Sequence, residues 1–128
     1  MSLRKDRIRL VGLIHSLDGL SQEEFQSRMM NLVGSIKELP VMQKNLLKYE
    51  IAFRVTGGTD TTLLGVLALS PNTQYSAVVT AEAVNKENLL EAMEDSSFLK
   101  LMDGAYADIM RRENFEVFTT EFHTAIEK

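Results

Sequence analysis

The sequence predicts an α+β domain in which a single antiparallel four-stranded sheet carries two helices on one face. Three observations predict it. Residues 8–25 read as a buried strand, a tight turn and a capped helix; residues 77–109 repeat that plan; and two further strands, 46–55 and 115–122, follow the two helices in turn. The resulting order, β-α-β-β-α-β, is the ferredoxin-like split pattern.

Each element has a local reason. Residues 7–14 are nearly all apolar after Arg9, as in a strand covered on both faces. Leu17-Asp18-Gly19-Leu20 is a turn, with Gly19 free to adopt positive φ. Ser21 stands three residues before Glu24, the spacing of a capping box, and Leu20 is placed to staple onto Phe25. Phe25, Met29, Leu32, Val33 and Ile36 then form one apolar stripe at helical spacing, and Pro40 is expected to end the helix. In residues 46–55, Leu47, Tyr49, Ile51, Phe53 and Val55 alternate with Lys48, Glu50, Ala52 and Arg54, which is strict strand periodicity. Gly57-Gly58 and Pro71-Asn72 are breakers. Between them, Leu63, Leu64, Val66, Leu67 and Leu69 predict a short helix or a packed loop. Residues 75–84 are small and β-branched, a third strand. Asn85 can cap a helix over 86–94, Asp95-Ser96-Ser97 interrupts it, and 98–110 resumes it, with Arg111 and Arg112 suiting its C-terminus.

Bulk properties narrow the function. A chain of 128 residues, 45% hydrophobic and 25% charged, fits one globular domain over 1–128. The net charge of −4 argues against a nucleic-acid partner, and Arg4, Lys5, Arg7 and Arg9 read as a solvated end. There is no cysteine, no leader pattern and no apolar run long enough to span a membrane, so a cytoplasmic location is expected. Large apolar residues on both faces of the strands predict that two sheets pair face to face in a twofold homodimer, enclosing a small barrel, with residues 63–69 reaching across the seam.

The stretches VGLIHSLDGLSQEEF, KYE, NLLEAMEDSSFLKLMDGAYADI and ENFEVFTTEF resemble the EthD-type branch of the dimeric α+β barrel superfamily, over nearly the whole chain except residues 59–72. The resemblance implies a homodimer with one small, mostly apolar cavity per subunit, between sheet and helices or inside the barrel. Relatives include dehydratases, decarboxylases, polyketide cyclases, cofactor-free monooxygenases and haem-handling enzymes. The chain departs from that pattern at telling places. Met29 and Val33 stand where such proteins carry a tryptophan and a pocket histidine, and Phe98 stands where polyketide cyclases carry another histidine.

With two histidines, no His pair at helical spacing and no calcium-loop pattern, a metal site is not expected, nor is any cofactor. The candidate acid–base groups are His15, Tyr49 and Glu82. His15 ends the first strand on the side of Val11 and Leu13 and can serve as a general base at a cavity mouth, or simply rest against backbone and solvent. Tyr49 lies in an apolar layer, as a core anchor or a ligand donor. Glu82, among Ala, Val and Thr, is a general acid or base if desolvation raises its pKa, and a strand-end carboxylate if it reaches water. Glu50 and Arg54 share a strand face and can form a pair there. Phe25, Met29, Val33, Phe53, Phe98, Met102 and His123 are the candidate ligand-binding set; the seven methionines are core first and a pliable wall second. The expected function is binding of a small apolar organic ligand, with cofactor-independent lyase, dehydratase or cyclase chemistry on an aromatic, polyketide-like or terpenoid metabolite. The alternative is a non-catalytic ligand-binding or structural homodimer. A haem-handling role would need an axial imidazole in the pocket, which neither histidine is placed to give.

Overall fold

A computed structural model describes residues 2–55, 59–70 and 75–128, the side chain of Thr59 excepted; the breakers Gly57-Gly58 and Pro71-Asn72 lie outside these residues. Four strands, β1 (Ile8–Ile14), β2 (Leu46–Phe53), β3 (Ala77–Ala83) and β4 (Glu116–Thr120), form one sheet in the order β2-β3-β1-β4. All three neighbouring pairs are antiparallel. The helices are α1 (Gln22–Lys37), α2 (Pro40–Asn45), α3 (Thr59–Leu67), α4 (Lys86–Met93) and α5 (Ser96–Asp108). This is the expected ferredoxin-like arrangement.

Local chemistry sets most of the boundaries. Gly19 takes φ of 87° in the turn after β1. The Ser21 hydroxyl accepts from the Glu24 amide at 3.0 Å and donates to the Glu24 carboxylate at 3.1 Å, so cap and third helical residue hold each other. Asn85 and Asp95 cap α4 and α5 by accepting from the Asn88 and Phe98 amides. The residues expected as an interruption are therefore the start signal of α5. Two expectations are corrected. Pro40 does not merely stop α1: it stands at the first position of α2, where its missing N–H costs nothing and its fixed φ suits a helix. A register irregularity between Leu46 and Lys48 breaks the alternation of β2, so that Leu46 packs inward and Leu47 is exposed.

The core lies between the sheet and the helices. Phe25, Met29, Leu32 and Ile36 of α1 are buried with Ile14, Met42, Ala77, Ala92, Met102 and Ala105. Phe25 meets Phe53 edge-on, with ring centroids 6.1 Å apart and planes at 86°. Gly12 has a packing reason to lack a side chain. A Cβ there would stand 2.8 Å from Val79 Cγ1 and 3.1 Å from Phe115 Cε1, so its absence lets the Phe115 ring lie against the sheet.

Candidate functional site

The helices cover the face of the sheet that carries Tyr49, Ile51, Phe53, Ala77, Val79, Ala81, Gly12 and Ile14. The register assigns the other face. Across it run Lys48, Glu82, Arg9 and Thr120, then Glu50, Thr80, Val11 and Phe118, then Ala52, Val78, Leu13 and Glu116. This uncovered face is mixed, not uniformly apolar, which corrects the expectation of large apolar residues throughout. Its apolar part is the middle and one end; its charges gather at the rim and at the opposite end. Phe118 on this face is 48% exposed.

A pocket of about 480 Å³ opens on the apolar end, lined by Leu13, Ala52 and Val78 of the sheet and by Leu63 and Leu64 of α3. Arg54, Asp60, Tyr75 and Ser76 supply its polar atoms. Arg54 is fixed from two sides: its Nε donates to the Tyr75 carbonyl at 2.8 Å and its Nη1 to Asp60 Oδ2 at 2.7 Å. The Tyr75 hydroxyl donates to Glu116 Oε2, and that carboxylate holds the phenol above its ordinary pKa. The helix beside the pocket presents Leu63, Val66 and Leu67 to solvent, as does Leu69 after it. Such a run of exposed apolar side chains marks a surface made to be covered.

His15 follows Ile14, the last residue of β1. The Ser76 amide donates to the Ile14 carbonyl at 2.7 Å and the Ser16 amide to Ser76 Oγ at 3.2 Å, so Ser76 is tied to the residues on both sides of His15. His15 Nδ1 lies 2.7 Å from the Ser16 carbonyl. A carbonyl only accepts, so Nδ1 is the donor there, and in the neutral ring Nε2 is then the acceptor.

The expected trio His15, Tyr49 and Glu82 does not meet. Tyr49 is on the helix-covered face, packed against the core. Glu82 is on the uncovered face and pairs with Arg9 at the far end of β1, while His15 follows the last paired residue, Ile14. Its side chain is 3% exposed and takes Arg7 Nη1 at 2.9 Å and Arg9 Nε at 3.0 Å. Burial alone raises this carboxyl, but the two guanidiniums outweigh burial and hold it below its usual range. The expectation of a raised pKa is corrected: Glu82 is a charged anchor. Arg9 in turn stacks on Phe122, 3.7 Å above the ring centroid.

Phe25, Met29 and Met102 of the expected ligand set are closed into the core, and Phe98 packs against it. Val33 is half-buried on α1, and His123 is exposed beyond β4. Phe53 alone of that set lines the pocket. Glu50 lies 3.5 Å from Lys48, and Arg54 is held by Asp60 instead. Tyr75, Asp60 and Glu116 were not singled out in the sequence. Their only local signal is an aromatic residue entering a strand of small ones.

Burial pushes the Tyr49 phenol up to about 12 from its ordinary 10.0. A raised folded-state pKa means that the contribution to stability is intact below about pH 10 and is lost as pH rises through 12. Ultraviolet difference titration of wild type against Tyr49→Phe is expected to place Tyr49 ionisation near pH 12. Ionisation of Tyr49 near 10 in folded protein contradicts the assignment to the core.

No family model matches the chain, and no curated protein matches it in sequence. Solved structures do match in fold. A dimeric ferredoxin-like protein of unknown function from Bacteroides fragilis is 13% identical, with a TM-score of 0.64 over 94% of this chain and 100% of that one. Hydroxynitrile lyase from Passiflora edulis is 7% identical, with a TM-score of 0.65 over 97% of this chain and 100% of that one. An EthD family protein from Bacillus halodurans is 11% identical, with a TM-score of 0.62 over 91% of this chain and 99% of that one. At such identities the likeness carries the fold, and it includes the EthD-type proteins that the sequence itself resembles.

Proposed function

We propose that the chain is a homodimer that binds a small, mainly apolar organic molecule on the uncovered sheet face, and transforms it by proton transfer without a cofactor, as a lyase, dehydratase or cyclase. The observation that carries this reading is the pocket between Leu13, Ala52 and Val78 and helix α3, with Arg54, Tyr75 and Ser76 at its polar edge. Its volume, about 480 Å³, lies in the range of small-molecule sites. The face is half made: its apolar centre, Phe118 and the exposed leucines of α3 need a cover, and a second copy provides one of matching character. The Bacteroides protein of this fold is described as dimeric, and the Passiflora protein as a lyase, which supports both halves of the proposal.

Within this proposal His15, two positions after the pocket residue Leu13, is the general base through Nε2. Tyr49 and Glu82 have no part in the chemistry: one is across the sheet and the other is saturated by arginines. A non-catalytic binding protein is the second reading, favoured by Val33 and Phe98 at the positions where the resemblance would put histidines. Both readings share a location in the cytoplasm and the same pocket.

Fluorescence titration with the neutral apolar dye Nile red tests that pocket. The wild-type chain is expected to bind about one probe per subunit, and Ala52→Trp, which sets an indole in the pocket from an exposed strand position, is expected to weaken binding at least about tenfold while keeping the fold. A wild-type protein that ignores the probe, or an Ala52→Trp variant that binds it equally well, contradicts the proposal.

A further inference from the structure

Glu116 takes no part in the proton transfer assigned to His15. Glu116 pairs with Leu13 across the β1–β4 ladder, so its carboxylate stands on the same face as the pocket and one strand away from its floor. Every other carboxylate on the sheet rows of that face has a cation: Glu82 has Arg7 and Arg9, and Glu50 has Lys48. Among the described residues Glu116 has no cation within ion-pair distance, and its hydrogen-bond partner is the hydroxyl of Tyr75. Tyr75 lines the pocket, so its side chain spans from the pocket to the carboxylate.

A carboxylate has about four lone-pair sites, and one phenol occupies one of them. On a lone chain, water takes the rest. Under the second copy of the dimer, that water is restricted and the carboxylate is left needing donors. A guest with an apolar body and a hydroxyl at one end meets both demands. Its body lies on Leu13, Ala52 and Val78, and its hydroxyl reaches the carboxylate beside Tyr75. An ether or a bare hydrocarbon offers no donor, and a carboxylate guest meets like charge.

Resting on the pocket and dimer of the proposed function, we infer that Glu116 and Tyr75 form a hydroxyl-recognition site, and that the ligand belongs to the phenols or alcohols with an apolar body. The hydroxyl donates to Glu116, while Tyr75 keeps its own proton and holds the carboxylate in place. Hydrogen bonds to a charged group are the strong ones, and losing one costs about tenfold or more in affinity.

The test uses the full chain with two matched probes, naphthol and naphthalene, followed by intrinsic probe fluorescence at neutral pH. Wild type is expected to prefer naphthol by about tenfold. Glu116→Gln, a near-isosteric change at an exposed position, is expected to bring the two probes to similar affinity by weakening naphthol alone. Tyr75→Phe, which removes the hydroxyl that holds the carboxylate, is expected to reduce the naphthol preference; it also serves if Glu116→Gln fails to fold, and an unchanged preference in Tyr75→Phe overturns the site. Equal binding of both probes by wild type, or a naphthol preference that survives in Glu116→Gln, overturns the hydroxyl site and leaves the pocket standing. Binding of neither probe overturns the pocket, and the hydroxyl site with it.

Discussion

Phe25→Ala is expected to lower the unfolding free energy by about 3–5 kcal/mol, the range for deleting a fully buried aromatic side chain. Phe25 is 0% exposed, and its edge rests on Phe53. It joins three features that the sequence builds in separate places: the capped start of α1, the partly buried Leu20 ahead of the cap, and the inward face of β2. Removing the ring leaves a cavity at that junction, where α1 is fixed to the sheet. Since domains hold only about 5–15 kcal/mol in total, the variant should unfold at a much lower urea concentration. A loss below about 1 kcal/mol would mean that the helix is anchored elsewhere.

The second large effect is at Glu82. Replacing it by glutamine leaves Arg7 and Arg9 facing a neutral amide inside a nearly closed site. Breaking a buried ion pair from one side costs about 3–5 kcal/mol, and the arginines are about a third exposed, so the lower end applies. The pH dependence has a definite sign. A folded-state pKa held below the ordinary 4.5 means stability that is present above 4.5 and lost as pH falls through the lowered folded value. The difference between wild type and Glu82→Gln in urea midpoint is therefore expected to be full at neutral pH and to shrink on acidification below about 4.5. A difference that is unchanged across that window would show that the arginines do not hold the carboxylate in its charged form.

The parts of this protein that follow from near neighbours in sequence could be read before the fold was known. The Gly19 turn, the Ser21 cap and the α1 stripe each depend on residues within a turn or two of one another. Pro40 shows the limit of that reading. The same missing N–H that ends one helix suits the start of the next, and only packing of Met42 and Asn45 decides that a new helix forms. Leu47 shows another limit, because a single irregularity opposite β3 reverses the side on which a residue falls.

The site depends on pairings that no local pattern encodes. His15 and Tyr49 both looked like pocket residues, yet Tyr49 falls on the helix-covered face and His15 beyond the last paired residue of β1. Glu82 looked like an isolated carboxylate because its partners, Arg7 and Arg9, lie more than seventy positions away in the chain. Glu116 and Tyr75 are separated by 41 positions and come together only because β1 lies between β3 and β4. Burial of Met29, Met102 and Met110 was legible from their helical spacing, whereas Met30, expected in the core with them, is 52% exposed, and Met42 is core on a helix that no periodicity announced. Which apolar residues would be left uncovered was not, since that depends on which sheet face the helices choose.

The claim that ties these features together is that a second copy covers the uncovered face. Sedimentation equilibrium of wild type beside Phe118→Glu, which sets a charge on that face midway along its edge strand β4, tests it most directly. Wild type is expected to sediment at twice the chain mass at micromolar concentration, and Phe118→Glu as a folded monomer. A wild-type monomer at that concentration, or a Phe118→Glu dimer as tight as wild type, would contradict it.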